Sequence, residues 1–454
     1  MSYADEPETT SELGQLILWL FPIPSLGLLL TASGGSEGEF GVLYELSIVG
    51  LLCGIFVLLM IYGASAFAGQ DRQRLSYIFG PSIRIMMIAL AGSVLCQAGL
   101  FVFGIFAAET SLIGRVHAGL LLAISIGAIV ACFTLVAASI RILKISPMDV
   151  RGELIADDQQ SEIWSLVKSS AKKLQSTIPD NIVVGLEPNF YVTNSDVRLI
   201  GEDRTISGST LYVSSSLMRI LTTQELLAVV GHELGHFRGN DLNYTTKFAP
   251  TYSRLGHALH GLSAGLGNAG DLAKIPALAA LSTCLNRFAV AERAIGRERE
   301  FAADKAGAEV SSSKALATAL LKVSAYSSYW HSLIQMNISE LEQGRLYTNL
   351  SRLFGTICEG ESKAIDWDKA IDSLMSSQQP HPIDTHPPLS QRVAALGIST
   401  NELTVDSDMM PTQTAISLIS EPESYEVRLS SLEAQWLEAI GAVRTQVEDS
   451  SVGG

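Results

Sequence analysis

The chain has few cysteines and few basic residues for its length of 454 residues. Its five cysteines form no CxxC pair and no disulfide framework, which excludes a disulfide-stapled secreted scaffold and fits a reducing compartment. Its 31 Lys and Arg residues are outnumbered by 46 Asp and Glu residues, which gives a formal net charge of −15. This excess of negative charge argues against a nucleic-acid partner.

Charge is almost absent from three long stretches in the first third of the chain. The mean hydropathy of +0.28 is high for a wholly soluble protein, and these stretches account for it. Each of them, at 42–67, 83–108 and 120–140, reaches the ~20 residues that cross a bilayer core. We therefore predict three transmembrane helices with a lipid bilayer as their surroundings.

A fourth apolar segment, residues 16–31, is barely long enough to span. Pro22 and Pro24 would break a helix in its middle. It is therefore expected to be a kinked span, a re-entrant segment or an interfacial helix. The preceding residues are acidic and contain no Lys or Arg, which argues against a cleaved signal peptide.

Basic residues near the predicted spans indicate how the chain is oriented. Arg72 and Arg74 lie between the first two clear spans, and Arg141 and Lys144 follow the last one. Cytoplasmic loops carry an excess of Lys and Arg, so both regions are expected on the cytoplasmic side. The chain is thus predicted to be a multi-pass protein of the cell (inner) membrane, with everything after Arg141 in the cytoplasm.

The remainder divides into two parts by composition. Residues 147–397 alternate helical and strand patterns, and residues 398–454 hold ten acidic residues against two arginines, which predicts a solvated acidic tail that is largely helical. The fold class predicted for 147–397 is a mostly α-helical α+β domain with a small β-sheet, following a membrane region at 1–146. The expected elements are a helix at 161–176, strands at 181–185, 189–193 and 209–214, helices at 297–310, 315–327 and 332–346, an irregular stretch at 354–384, and helices at 412–419 and 425–446.

The run His232-Glu233-Leu234-Gly235-His236 carries the strongest chemical signal. On a helix, two histidines four residues apart share one face and can hold one Zn²⁺, while the glutamate between them can reach a water on the metal. Thr222 and Glu225 form a capping-box pattern that predicts the start of such a helix. A chance match in an ordinary helix is the alternative, so further residues must decide.

A catalytic zinc site normally has three protein ligands, so a third must come from elsewhere. Glu292, Glu298 and Glu300 are candidates on a later predicted helix. Glu300 is favoured because Asp304 follows one turn later and could accept the second N–H of a ligating histidine. The same acids could instead pair with neighbouring Arg and Lys residues on an exposed helix.

Three ordered motifs resemble the HtpX and CAAX-prenyl-protease family of integral-membrane zinc endopeptidases. They are His232–His236 with Asp241, Arg299-Glu300-Phe301-Ala302-Ala303-Asp304, and Thr385-His386-Pro387-Pro388-Leu389 with Arg392. The resemblance implies a gluzincin-type site in which Glu300 is the third zinc ligand. It also implies that Asp304, Asp241 and Arg392 hold the zinc ligands in position without binding the zinc themselves. His386 would then donate a hydrogen bond to the developing oxyanion.

The expected activity is hydrolysis of peptide bonds by one Zn²⁺ per chain, with Glu233 as general base. The substrates would be proteins or peptides, chiefly membrane proteins in quality control or processing. An extended substrate would add a strand beside an edge formed by Leu211, Tyr212, Val213 and Ser214. Two alternatives stay open: a CAAX-type protease for lipidated substrates, and a catalytically silent membrane adaptor, against which the intact Glu233 argues.

Overall fold

The computed structural model divides the chain into two units. It describes residues 6–31, 39–69, 71–142, 147–202, 204–238, 248, 251–252, 255–256, 259, 275–376, 387–403 and 410–443. The first unit takes in Met1–Ile145 and Asn243–Ile295, and the second takes in Ser146–Leu242 and Gly296–Gly454. The predicted boundary after residue 146 lies close to this division, whereas residues 243–295 join the first unit instead of the domain predicted for them.

Among the described residues of the first unit, four helical stretches are long and apolar enough to cross a membrane. They are Leu13–Thr31, Gly41–Ala68, Gln73–Leu112 and Ala118–Ala137. The underlying helices are α1 (Glu6–Leu20), α2 (Pro22–Thr31), α3 (Glu39–Ala68), α4 (Arg72–Ala108) and α5 (Ala118–Ile142), with a π-helical turn at Glu109–Ile113. The membrane region is therefore multi-pass and α-helical as predicted, and the uncertain apolar segment qualifies as a fourth candidate span.

The first candidate span is a broken helix, as its prolines predict. α1 ends at Leu20 and α2 begins at Pro22, which has no backbone N–H to continue the preceding helix. Gln97 of α4 donates its Nε2 hydrogen to the Trp19 carbonyl at 2.8 Å. A polar side chain thus satisfies a backbone group beside the break, as apolar surroundings require.

Residues 243–295, which follow the His232–His236 run, belong to the first unit again. Phe79 of α4 packs its ring edge-on against Phe248 and Phe288, with centroids 4.8 and 4.9 Å apart. Ala280 and Leu281 are also buried in this core. They lie on α9 (Ile275–Val310), whose later residues belong to the second unit.

Two small sheets organise the second unit. Their strands are β1 (Met148–Val150), β2 (Glu153–Ile155), β3 (Asn181–Gly185), β4 (Tyr191–Thr193), β5 (Val197–Leu199), β6 (Arg204–Ile206) and β7 (Thr210–Ser214). One sheet has the order β1-β5-β6 and the other has the order β2-β3-β7-β4. β7 pairs with β3 in parallel and with β4 antiparallel, so it is an inner strand. The prediction that it forms an edge is wrong, because β4 covers that side of it.

Helices complete the second unit and confirm a mostly helical domain with small mixed sheets. They are α6 (Ser161–Leu174), α7 (Ser215–Met218), α8 (Thr223–Gly235), the later part of α9, α10 (Ser313–Glu342), α11 (Leu350–Ser362), α12 (Trp367–Ser376), α13 (Leu389–Ala395) and α14 (Pro422–Ala439), with 3-10 turns at Thr400–Leu403 and Ala415–Leu418. Of the stretch predicted to be irregular, 354–384, the described residues up to 376 instead lie in or between α11 and α12, and the remainder lies outside the described residues. The buried residues of these two helices include Phe354, Cys358 and Ile371, which join the large core.

Part of the acidic C-terminal segment, α14, packs within this unit. Glu426 and Glu433 on α14 are 0% and 4% exposed. Arg219 donates both arms of its guanidinium to Glu426, which also accepts from Asn349 and Ser351. A solvated tail was predicted because acidic residues are usually exposed. The structure differs because arginines from distant parts of the sequence neutralise two of them.

Candidate metal centre

α8 begins with the predicted capping box. The Thr222 hydroxyl accepts from the Glu225 backbone N–H at 3.1 Å, and the Glu225 carboxylate accepts from the Thr222 N–H at 2.7 Å. Both orphan donors at the helix start are thereby satisfied. The helix then carries His232 to His236 as one turn, which places their rings 4.9 Å apart and nearly perpendicular.

A buried lysine fixes the same helix start from a neighbouring helix. Lys322 on α10 is 0% exposed, and its Nζ lies 2.9 Å from the Glu225 carboxylate. It also donates to the Ile220 carbonyl at 3.4 Å. Sequence reasoning missed Lys322, although a lysine inside the apolar run Leu320-Leu321-Lys322-Val323 was a usable signal.

Small residues let α8 and α9 approach each other closely. A Cβ atom added to Gly235 would lie 2.9 Å from the Ala306 Cβ and 3.0 Å from the Ala303 Cα. A Cβ atom on Gly307 of α9 would lie 2.5 Å from the Ala228 carbonyl oxygen. Because both contacts involve rigid neighbours, only glycine permits this spacing. The close approach brings the buried Glu300 side chain to the two histidines.

His232, His236 and Glu300 place three potential metal ligands close together. The Nε2 atoms of His232 and His236 each lie 3.6 Å from an oxygen of the Glu300 carboxylate. One ligand atom from each residue can be chosen so that all lie within 4.8 Å of one another. Two ligand atoms ~2.1 Å from one tetrahedral zinc ion stand ~3.4 Å apart. The spacing and the two-imidazole, one-carboxylate donor set therefore fit a zinc ion.

Of the other two glutamates considered as ligands, Glu298 can be compared with Glu300 in the structure. Glu298 is exposed, whereas Glu300, two residues later on α9, is 7% exposed and faces the histidines. The side chain of Glu292 lies outside the described part of the chain.

Asp304 binds both a histidine and an arginine. Its Oδ1 lies 2.9 Å from His232 Nδ1, and it accepts from Arg392 Nη2 at 2.6 Å and from Arg392 Nε at 2.9 Å. Burial alone would raise the pKa of Asp304, but the hydrogen bonds from Arg392 and His232 hold this pKa below its ordinary value. The ionised carboxylate keeps the proton of His232 on Nδ1, which leaves Nε2 facing Glu300 with its lone pair.

Glu233 stands beside these ligands without being one of the three. It is 8% exposed, and its Oε1 lies 4.0 Å from His232 Nε2. A carboxylate at that distance can accept a proton from a water held between it and the three donors. His386 and Asp241, the other predicted site residues, lie outside the described residues.

The predicted substrate edge needs a correction within the same sheet. Leu211 and Tyr212 on β7 are paired with Val192 and Tyr191 on β4, so their backbone is not available to a substrate along this stretch. No strand among the described residues pairs with the outer side of β4. β4 contacts α8, and Val192 packs against the same core as that helix. β4 is therefore the edge next to the site.

Part of this chain matches a known protein family. Residues 204–398, which include His232, Glu300 and Arg392, match the model of Peptidase family M48. This segment of the second unit is thus similar to Peptidase family M48, and the residues that could hold a metal ion lie within it.

Several curated relatives carry the description "Protease HtpX homolog". The protein from Archaeoglobus fulgidus is 26% identical over 345 residues, which cover 75% of this chain and 92% of the relative. The protein from Thermococcus kodakarensis is 28% identical over 181 residues, or 37% of this chain and 59% of the relative. That from Bifidobacterium longum is 27% identical over 191 residues, again 59% of its length. No solved structure matches. The predicted resemblance to HtpX-like M48 metallopeptidases is confirmed.

Proposed function

We propose that this protein is a membrane-bound, zinc-dependent endopeptidase. The observation that carries the proposal is the convergence of His232, His236 and Glu300 beside Glu233. These residues supply three metal ligands and a neighbouring carboxylate, which is the donor set of a hydrolytic zinc site with one open position.

The chemistry divides between the metal and the side chains. Zn²⁺ held by these three residues would supply a Lewis acid that lowers the pKa of water and polarises a scissile carbonyl. Glu233 takes the proton from the attacking water on a carboxylate oxygen. It then returns that proton to the nitrogen of the leaving amine.

Asp304 and Arg392 hold the ring of His232 in one orientation. Asp304 accepts the Nδ1 proton of His232, and Arg392 balances the Asp304 charge with two hydrogen bonds. Arg392 lies on α13, three residues after Leu389. This helix follows the His386-Pro387-Pro388 segment in sequence. In the proposed mechanism, this anchor helps place His386 where it can donate to the developing oxyanion.

The substrate is proposed to bind as an added strand on β4 rather than on β7. The outer side of Tyr191–Thr193 offers backbone donors and acceptors next to the catalytic helix. Backbone pairing would give affinity with little dependence on sequence, which suits a protease acting on many unfolded segments.

The membrane helices and the loop charges support a location and a substrate class. The basic residues that flank the spans, Arg72 and Arg74 in one loop and Arg141 and Lys144 after the last clear span, favour a cytoplasmic peptidase domain at the inner membrane. The natural substrates are then proposed to be membrane proteins undergoing quality control or processing.

Zinc content and cleavage of casein in mild detergent test this proposal. The wild type should hold about one zinc ion per chain and cleave casein, with a chelator removing the activity. Glu233→Gln should keep the zinc and lose about three or more orders of magnitude in rate, because only the base is removed. Glu309→Gln, which alters an exposed carboxylate paired with Arg238, is the matched control.

Three outcomes would count against the proposal or narrow it. Zinc binding without cleavage above that of Glu233→Gln would favour the adaptor alternative. Cleavage confined to prenylated peptides would favour CAAX-type processing. Cleavage that persists in a fully metal-depleted protein would exclude a zinc mechanism.

A further inference from the structure

The two edges of the four-stranded sheet differ in what contacts them. On the β2 edge, Arg428 of α14 donates to both carboxylate oxygens of Glu153, at 2.8 to 3.1 Å. No strand among the described residues pairs with the outer side of β4. The C-terminal helix thus contributes a side-chain contact at the β2 edge, while the β4 edge has no strand beside it within the part of the chain that the structure describes.

The same helix is tied to the connection that leads into β4. Arg151, in the turn between β1 and β2, donates its Nε hydrogen to Glu433 of α14 at 2.8 Å. Its other arm donates to Glu187, which lies between the end of β3 and the start of β4. The Arg151 Cζ lies over the Trp436 ring, 3.8 Å from its centroid. One partly buried arginine therefore joins α14 to the segment that leads into the edge strand.

The two arms of this junction differ in their surroundings, because the Glu433 side chain is buried whereas that of Glu187 is 48% exposed. Glu433 is 4% exposed, so its charge depends on Arg151 for compensation, and the stacking on Trp436 limits how the guanidinium can turn. A planar two-armed donor is needed to reach both carboxylates at once. Movement of Arg151 would therefore release the Glu187 turn from α14.

The edge strand continues directly from that turn. Phe190 is buried, and the Tyr191 ring stacks on Tyr212 of β7 with centroids 4.8 Å apart and planes 3° from parallel. β4 has only three residues, so its position depends heavily on what holds its ends. Its C-terminal end is closed by a turn in which the Ser195 N–H donates to the Thr193 hydroxyl. The Arg151 junction holds the N-terminal end.

We propose that Arg151 is a positioning residue for substrate binding, which fixes the β4 edge by bridging Glu187 to Glu433 of the C-terminal helix. This inference rests on the proposed function, because it assigns a role to the edge on which an extended polypeptide would bind. It also means that α14, which belongs to the acidic C-terminal segment, contributes to substrate binding by holding Arg151.

Arg151→Gln and Glu187→Gln in the full-length protein test it, with Arg198→Gln as matched control. Arg198 pairs with Asp149 on the other sheet and is about half exposed. KM and kcat are measured for an extended unfolded protein substrate, and hydrogen exchange is followed at Tyr191–Thr193. Both junction variants should raise KM about three- to tenfold with kcat within about twofold, because ground-state and transition-state binding weaken together. Exchange at β4 should be faster, and zinc content unchanged.

Arg151→Lys provides a rescue test, because lysine keeps the charge but cannot bridge both carboxylates. Compared with Arg151→Gln, the Arg151→Lys variant should recover thermal stability more fully than it recovers the wild-type KM. Unchanged KM, unchanged exchange at β4, or a loss of kcat and zinc together would overturn the positioning role. Absence of zinc-dependent cleavage in the wild type is a separate outcome. It overturns the proposed function and this inference with it.

Discussion

Lys322 and Glu225 form an ion pair from which solvent is excluded at the start of the catalytic helix. The Nζ and Oε2 atoms are 2.9 Å apart, and the two side chains are 0% and 5% exposed. Glu225 also accepts from the Thr222 N–H, so one carboxylate serves both the helix cap and the buried lysine. The orientation of α8, and with it of His232 and His236, depends on this carboxylate.

Replacement of the lysine should therefore be costly. Lys322→Met leaves the Glu225 charge buried without its cation, which typically costs about 3–5 kcal/mol of unfolding free energy. Urea unfolding in detergent, followed by tryptophan fluorescence, measures the loss. Lys363→Met is the control because Lys363 makes an exposed pair with Glu359 on α11. The double variant Lys322→Met with Glu225→Gln should recover part of the loss. Equal effects of the two single lysine variants would contradict the assignment.

Asp304→Asn should weaken zinc binding without removing a ligand. The amide cannot match the ionised carboxylate as a partner for His232 Nδ1 and Arg392, so the ring of His232 loses part of its orientation. Loss of such a partner typically lowers metal affinity about 10–100-fold. Competition with a fluorescent zinc chelator measures the affinity, and Asp149→Asn, on the exposed pair with Arg198, is the control. A wild-type affinity in Asp304→Asn would show that this hydrogen bond does not support the ligand.

Local signals were the ones that sequence reasoning interpreted correctly. The capping box of α8, the apolar stretches and the helix break at Pro22 all depend on residues close together in the chain. The position of β7 inside its sheet depends on β4, a three-residue strand with too weak a pattern to define its partners. Lys322 and Glu433 were assigned no role because their partners lie far away in sequence. His386 and Asp241 stay predictions.

The hydrogen bonds between Asp180, just before β3, and Ser209, just before β7, should make stability depend on pH. Asp180 Oδ2 accepts from the Ser209 backbone N–H at 2.8 Å and from its hydroxyl at 2.9 Å, and these hydrogen bonds lower the pKa of Asp180 from its ordinary value of 3.8. A lowered pKa in the folded state contributes stability that is present above the unfolded pKa. This contribution is lost as the pH falls through the folded value.

The measurement is the difference in unfolding free energy between wild type and Asp180→Asn as a function of pH. The difference should be largest near neutral pH and should shrink below about pH 4, where the wild-type carboxylate takes up its proton. Ser209→Ala should reduce the pH dependence by removing one of the two hydrogen bonds. A difference in unfolding free energy that stays constant between about pH 3 and pH 7 would show that the charge of the Asp180 carboxylate is not what stabilises its contact with Ser209.

Gly235 gives the sharpest test of how the metal centre is assembled. Gly235→Ala adds a Cβ atom only 2.9–3.0 Å from Ala306 and Ala303, so α9 must move away and take Glu300 with it. Zinc affinity and unfolding free energy should both fall, by about 1–3 kcal/mol for the overpacking alone. Gly360→Ala is the matched control because Gly360 lies on the exposed side of α11 with no atom within 4 Å of the added Cβ. It should stabilise the protein by up to ~1 kcal/mol through helix propensity and leave zinc affinity unchanged. If Gly235→Ala behaves like Gly360→Ala, the close packing of α8 on α9 is not what brings Glu300 to the two histidines.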